Sequence, residues 1–423
     1  CIRDSLLPAP RRVHRAGPSL HVSAESPMER AVVSVWERML GLEPIGIDDD
    51  FFALGGDSLA ALKMVVELSS EVGSTIREDL AFTHTTPRLL AAAVAAIGDT
   101  GRDGDPVAPS ARPDDAPPPL SSGEQAILFE HYADPDNPRY NVGRQYVVDG
   151  AVDHDRFAAA LRAIVGVHVP LHWTYSDPRQ ELTATEAFVS EVPWDRPVSL
   201  SAFSEASAAA QLRPIDLDNG PLGRCLFQPL DDGRTGITLI FHHVSIDAAS
   251  FDNLWNQLDQ AYRGDLSVVE TPSPDYADIG QWQRERQQRR SADREFWSSE
   301  SVALDADSLS LAVGRDSQPS EPDGYVQRVA SVELDQLKAG AGTTGLSVAL
   351  TAVSAVLRPY ASGDQIGIAV TTSTRDHPDA ERLVGYFLNT MPLVAPVPVD
   401  DSLVEIARRW SDVVGQALAH RTY

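Results

Sequence analysis

Between residues 98 and 119 the chain carries prolines at 106, 109, 113, 117, 118 and 119, with Gly and Asp among them. Proline fixes φ and lacks an amide N–H, so such a run joins neither a helix interior nor a central strand. It buries too little apolar surface to order itself, and it is stiffened toward an extended polyproline conformation. It reads as a semi-rigid spacer, so the parts on either side must each find their own core. The length of 423 residues agrees: at roughly 100–200 residues per domain it predicts two to four domains. Residues 1–25 are polar, rich in Pro and Arg, and without periodicity; residues 26–97 read as a small helical domain; residues 98–119 are the spacer. Residues 120–423 alternate strand-like and helix-like stretches, as one large α/β unit or two lobes of one.

Charge narrows the function. Against 35 Lys+Arg stand 61 Asp+Glu, a net charge of −26. That balance argues against a nucleic-acid partner, which needs a basic face, and against an anionic membrane surface. No run of 18 apolar residues is present, so no spanning helix is expected. Arg3, Arg11, Arg12 and Arg15 are followed by no apolar segment, which excludes a signal peptide. Cys1 and Cys225 cannot build a disulfide framework, and a reduced, cytoplasmic setting is predicted. The chain starts with Cys rather than Met, so a piece of a longer protein is expected.

The small domain has clear helix signals. Ser26-Pro27-Met28-Glu29 forms a capping box with Pro at the first helical position. Met28, Ala31, Val32, Val35 and Met39 give one apolar face, and Gly41 ends the helix. A second helix is predicted from Ser58, and a third from Thr86-Pro87 to Gly98, making a small bundle. Ahead of the second helix stands Leu54-Gly55-Gly56-Asp57-Ser58-Leu59, preceded by Asp48-Asp49-Asp50-Phe51-Phe52. The glycines allow a tight turn, and Ser58 falls at a helix N-terminus, where free N–H groups favour an anion such as a phosphodiester. An isolated Gly-Gly-x-Ser is most often only an N-cap.

In the large unit, Arg224-Cys225-Leu226-Phe227 and Ile237-Thr238-Leu239-Ile240-Phe241 flank Asp231-Asp232-Gly233, a hairpin signal. The second strand runs into His242-His243-Val244-Ser245-Ile246-Asp247-Ala248. Phe251, Leu254, Trp255, Leu258 and Tyr262 then predict an amphipathic helix ended by Gly264. Strand alternation places Ile237, Leu239, Phe241 and His243 on one face and Thr238, Ile240 and His242 on the other. The adjacent histidines then point apart and make no metal pair, and no spacing nearby suggests zinc. A histidine ending an apolar strand, with an ordinary pKa of about 6.5, suits proton transfer. Taken alone it is more often a satisfied core residue.

Residues 26–97 closely resemble a carrier domain of a nonribosomal peptide synthetase, on Asp-x-Phe-Phe-x-Leu-Gly-Gly-x-Ser-Leu at Asp49 to Leu59. The resemblance implies 4′-phosphopantetheine on Ser58, attached by a phosphopantetheinyl transferase. Leu6-Leu7-Pro8-Ala9-Pro10 looks like the tail of an upstream adenylation domain. Residues 120–423 resemble a condensation domain of the same synthetases. The matching stretches are His242-His243-x-x-x-Asp247, Tyr140-Asn141-Val142, Pro214-Ile215-Asp216-Leu217, Gly220-Pro221-Leu222-x-Arg224, Tyr276-Ala277-Asp278 with Trp282, Phe296-Trp297, and Val384 to Thr390.

The fold implied is multidomain: an all-α four-helix carrier bundle, then an α/β domain of two chloramphenicol-acetyltransferase-like lobes, near 120–290 and 291–423. A tunnel between the lobes would have His243 at its mouth. The function implied is amide formation between a donor thioester on Ser58 and an amine on a downstream acceptor carrier, with His243 catalytic and His242 and Asp247 structural. Asn389 and Thr390 become lobe-interface or floor-loop residues. A recruitment domain without catalysis and an epimerase are the alternative readings; Asn389-Thr390 favours condensation.

The chain departs from the family in several places. Ala248 replaces a glycine, and a methyl there is expected to crowd the acceptor channel or alter the loop. The motifs at Ser122 to Ile127 and His168 to Trp173 lack their arginines, so Asp247 needs another partner, with Arg224 a candidate. The family's later second-lobe segments do not follow Tyr423. Two polar stretches have bland readings: Arg284 to Arg290 as a solvated helix face and Thr374-Arg375-Asp376 as a solvated loop. Trp282, Phe296 and Trp297 read as lobe packing.

Overall fold

The computed structural model describes residues 22–56, 58–73, 76, 80–97, 109, 118–176, 180–183, 188–190, 196–301 and 343–421. The expected tail before residue 22, the spacer apart from Pro109, Pro118 and Pro119, and Asp57 of the serine motif lie outside the described residues. So do the last two residues, Thr422 and Tyr423. Two compact units emerge, one built from 106–288 and 373–389, the other from 10–105, 289–372 and 390–423.

Within 27–97 the helices are Pro27–Leu40, Ser58–Val72, Leu80–Thr83 and Pro87–Ile97. Ser26 accepts from the Glu29 N–H while the Glu29 carboxylate accepts from the Ser26 N–H, so two otherwise unsatisfied donors are met at once. Gly41, at φ 61°, closes the helix in the left-handed region that costs glycine nothing. Val32, Val35, Trp36, Phe51, Met64, Leu68 and Leu90 form the core, with the Trp36 and Phe51 rings 4.9 Å apart, edge to face.

The first unit holds a four-stranded sheet in the order β1-β4-β3-β2, with β1 Asn141–Val148, β2 Phe188–Ser190, β3 Gly223–Pro229 and β4 Thr235–His242. β4 runs antiparallel to β1 and β3, while β2 is parallel to β3. Every residue of β4 is buried, because both faces of the sheet are covered. Ile237, Leu239 and Phe241 meet Leu161 and Ile164 of the helix His154–Val167 and Phe251, Leu254 and Leu258 of the helix Ala248–Arg263. Ile240 packs instead with Ile127 of the helix Ser122–Ala133 and Ala210 of the helix Leu200–Gln211.

In the second unit β5, Gln365–Ser373, pairs with β6, Leu388–Pro396. Leu350, Ile366, Met391, Leu393, Trp410 and Val414 make its core with the helices Gly345–Leu357 and Leu403–Ala419. Residues 374–387, which connect β5 to β6, belong to the first unit.

Candidate active site

β4 ends at His242, and residues His243–Ser245 turn as a 3-10 helix. Strand alternation therefore stops one residue earlier than the sequence pattern suggests, and the turn sets the direction of His243. Its Nδ1 lies 2.7 Å from the Ile246 carbonyl oxygen. A carbonyl only accepts, so Nδ1 carries the proton and Nε2 is the basic nitrogen. The half-buried imidazole meets the Tyr386 ring edge to face, with centroids 5.4 Å apart.

His242 has the opposite tautomer. Its Nδ1 accepts the Val244 N–H at 3.2 Å, so the proton sits on Nε2, which is buried without a hydrogen-bond partner among the described residues. Burial, then the neighbouring His131 and His243, lower its pKa to about 3. A neutral ring follows, edge-on to His131 at 4.9 Å. This histidine braces the turn and cannot serve as a base that is charged near neutrality.

Asp247 caps the helix Ala248–Arg263, accepting the Ser250 N–H at 2.8 Å. Its ion partner is Arg375, at 3.0 and 3.2 Å, with both side chains buried. The candidate Arg224 is engaged elsewhere: it donates to the carbonyls of Ala210, Arg213 and Pro214. The solvated-loop reading of 374–376 is thus overturned, because Arg375 also satisfies the carbonyls of Ala380 and Leu383 and lies over the Phe387 ring. Asp376 is buried too, 3.8 Å from Arg286, which lies against Trp282. The charge run at 284–290 is therefore not one solvated face.

The late motif closes on the same residues. The Phe387 N–H donates to Asp247 Oδ2 at 3.2 Å, and the Asp247 N–H donates to the Gly385 carbonyl at 3.1 Å. Ser250 Oγ donates to that carbonyl at 2.8 Å and accepts the Gly385 N–H at 3.0 Å. A Cβ on Gly385 would lie 2.2 Å from the Tyr276 ring, so only glycine fits. Asn389 and Thr390 lie at the start of β6. Ala248 is the first residue of its helix and exposed, with φ in the ordinary range. Its methyl group therefore demands no unusual backbone conformation at the start of this helix.

Ser250 carried no functional expectation, Tyr386 stood only as part of the motif Val384 to Thr390, and Arg375 only as part of a polar loop. The Asp-x-x-Ser spacing of a helix cap was the signal for Ser250. Arg375 is 128 residues from Asp247 and had no local signal.

In the small domain, Asp50 shapes the loop before Ser58. Its carboxylate accepts the Phe52 and Ala53 N–H groups at 3.0 and 2.9 Å and the Thr85 hydroxyl at 2.6 Å. Gly55 turns at φ 103°, and a Cβ on Gly56 would lie 2.3 Å from the Phe51 ring. Ser58 is the first residue of a 15-residue helix with no acidic residue in its first turn. A helix N-terminus whose first turn carries no acidic side chain is a setting that favours a phosphodiester. Among the described residues no group of three His, Cys, Asp or Glu is placed to hold a metal, and no helix is long and apolar enough to cross a membrane.

A phosphopantetheine attachment site family matches residues 30–94, and a condensation domain family matches residues 118–423. Tyrocidine synthase 2 of Brevibacillus parabrevis is 26% identical over 88% of this chain, which spans 10% of that relative. Surfactin synthase subunit 1 of Bacillus subtilis (strain 168) is 25% identical over 93% of the chain, which spans 11% of it. Among solved structures, the first condensation domain of the calcium-dependent antibiotic synthetase superposes with a TM-score of 0.53 at 20% identity, over 72% of this chain and 76% of that one. The X-domain of teicoplanin biosynthesis, solved with OxyB, gives 0.62 at 19%, over 76% and 74%. Structural likeness at identities this low carries the fold alone.

Proposed function

Because the chain belongs to the condensation domain family and carries a phosphopantetheine attachment domain ahead of that domain, we propose that it forms amide bonds, moving an acyl group from a thioester on Ser58 to an acceptor amine. When bound, 4′-phosphopantetheine supplies the thiol on which the acyl group rides. The amine nitrogen attacks the thioester carbonyl, a C–N bond forms and the C–S bond breaks. His243 Nε2 takes the proton that the nitrogen sheds and returns it to the departing sulfur, so protons balance across the step. The substrate's own amine is the nucleophile, so no Ser or Cys of the protein need act as one. Much of the acceleration comes from holding the two substrates together.

The observation that carries this reading is the hydrogen bond from His243 Nδ1 to the Ile246 carbonyl, which leaves Nε2 as the proton acceptor. The partners it calls for are an upstream adenylation domain, a phosphopantetheinyl transferase and an acceptor carrier, in a reducing cytoplasm. The test is single-turnover transfer, with Ser58 loaded with a labelled acyl group and an aminoacyl carrier offered in trans, read by intact mass. Ser58→Ala abolishes loading. His243→Ala loads normally and transfers about 10²- to 10⁴-fold more slowly. An unchanged rate in His243→Ala refutes the base.

A further inference from the structure

We infer that Tyr386 is a positioning residue for His243, its ring forming the abutment that holds the imidazole in one orientation. This rests on the reading of His243 as the proton acceptor. The hydrogen bond to the Ile246 carbonyl anchors the imidazole at one ring nitrogen, Nδ1. Rotation about the Cβ–Cγ bond that breaks this hydrogen bond carries Nε2 away from its place. The Tyr386 ring packs edge to face against the imidazole, at 88° with centroids 5.4 Å apart, and so opposes that rotation.

An abutment works only if it is itself immobile, and Tyr386 is held from three sides. Its carbonyl accepts the Tyr276 hydroxyl at 3.0 Å. The residues before and after it, Gly385 and Phe387, are bonded to Ser250 and Asp247. Gly123, at the start of the helix Ser122–Ala133, closes on the ring: a Cβ there would lie 2.7 Å from Tyr386 Cε1 and 2.3 Å from the Leu388 carbonyl oxygen. The ring is wedged between a glycine and the histidine. The chain of support runs from Arg375 to Asp247 and Ser250, through the backbone of 385–387, to the Tyr386 ring and so to His243. The Asp247 carboxylate spends its hydrogen bonds on Arg375, Ser250 and Phe387, and acts on His243 through that ring.

The test uses the full chain in the single-turnover assay, with side-chain 15N spectra of His243 as a readout independent of activity. Tyr386→Leu loads Ser58 normally, slows transfer by about 10- to 100-fold, since small misplacements of a reacting group cost up to about 10²-fold, and shifts the His243 ring nitrogens toward a mixture of tautomers. Tyr386→Phe keeps the ring and restores both the rate and the spectrum. Should Tyr386→Leu not fold, Tyr276→Phe decides: it keeps its own ring, loses the bond to the Tyr386 carbonyl, and produces the same spectral change with a smaller loss of rate. Wild-type rate and spectrum in the soluble variants overturn the inference. His243→Ala in the same assay separates the two ideas. If it too transfers at the wild-type rate, the reading of His243 fails; if it is slow while Tyr386→Leu is normal, only the abutment fails.

Discussion

Replacing Arg375 by Met tests the architecture of the site directly. The change keeps most of the aliphatic stem over Phe387 and removes the guanidinium. The side chains of Arg375 and Asp247 are only 4% and 3% exposed, so the carboxylate left behind has little water to turn to. Removing one partner of a buried pair costs about 3–5 kcal/mol. The Ala380 and Leu383 carbonyls lose a donor as well, which adds to the cost. The Ser250 and Phe387 N–H groups still donate to Asp247 and offset part of it. A net loss near 3–5 kcal/mol remains. With a urea m-value of about 2–3 kcal/mol/M, the unfolding midpoint of the first unit falls by roughly 1–2.5 M. Far-UV circular dichroism in urea measures it, compared as midpoints because a multidomain chain need not unfold in one step. Asp247→Asn combined with Arg375→Met removes the stranded charge and regains part of the loss, so the double-mutant cycle shows coupling of about 1–3 kcal/mol. A midpoint shift of Arg375→Met worth less than about 1 kcal/mol, or additive single mutants, would refute the assignment of this pair as the brace of the site.

Two further outcomes follow from the same geometry. His168 is buried, and its pKa falls from 6.5 to about 4. The unfolded chain therefore binds the proton first, so stability is intact above about pH 6.5 and declines as pH falls toward 4, by on the order of 3 kcal/mol. His242 extends the decline to lower pH for the same reason. His168→Leu flattens the slope of urea midpoint against pH between 6.5 and 4; an unchanged slope would remove His168 from the account. Ala248→Gly restores the residue of the family motif at an exposed helix start, and the prediction is no gain in transfer rate with a stability loss of at most about 1 kcal/mol. A faster Ala248→Gly enzyme would show that the methyl group does obstruct the substrate.

What the sequence disclosed was local. The capping box at Ser26, the glycine stop at Gly41, the hairpin around Asp231 to Gly233 and the amphipathic helix after Asp247 each rest on residues within about one or two turns of one another. Each is found where the pattern places it. His243 was legible as a candidate, but its orientation was not, since alternation holds only while a strand continues and the chain leaves β4 at His242. Arg375 was misread because three polar residues after an apolar strand look the same whether they face water or a buried carboxylate. The same holds for Arg286, whose neighbours in sequence are charged and whose neighbours in space are Trp282 and Asp376. Position along the chain records nothing of a partner 128 residues away.

That separation has a consequence for the newly made chain. The histidine motif leaves the ribosome long before the residues that brace it, and closing so large a loop is a slow event. Any nascent or shortened product ending ahead of residue 373 has both histidines yet lacks Arg375, Gly385 and Phe387. In such a product the imidazole is present as chemistry but without a seat, and its setting is complete only once residues 375–387 have followed.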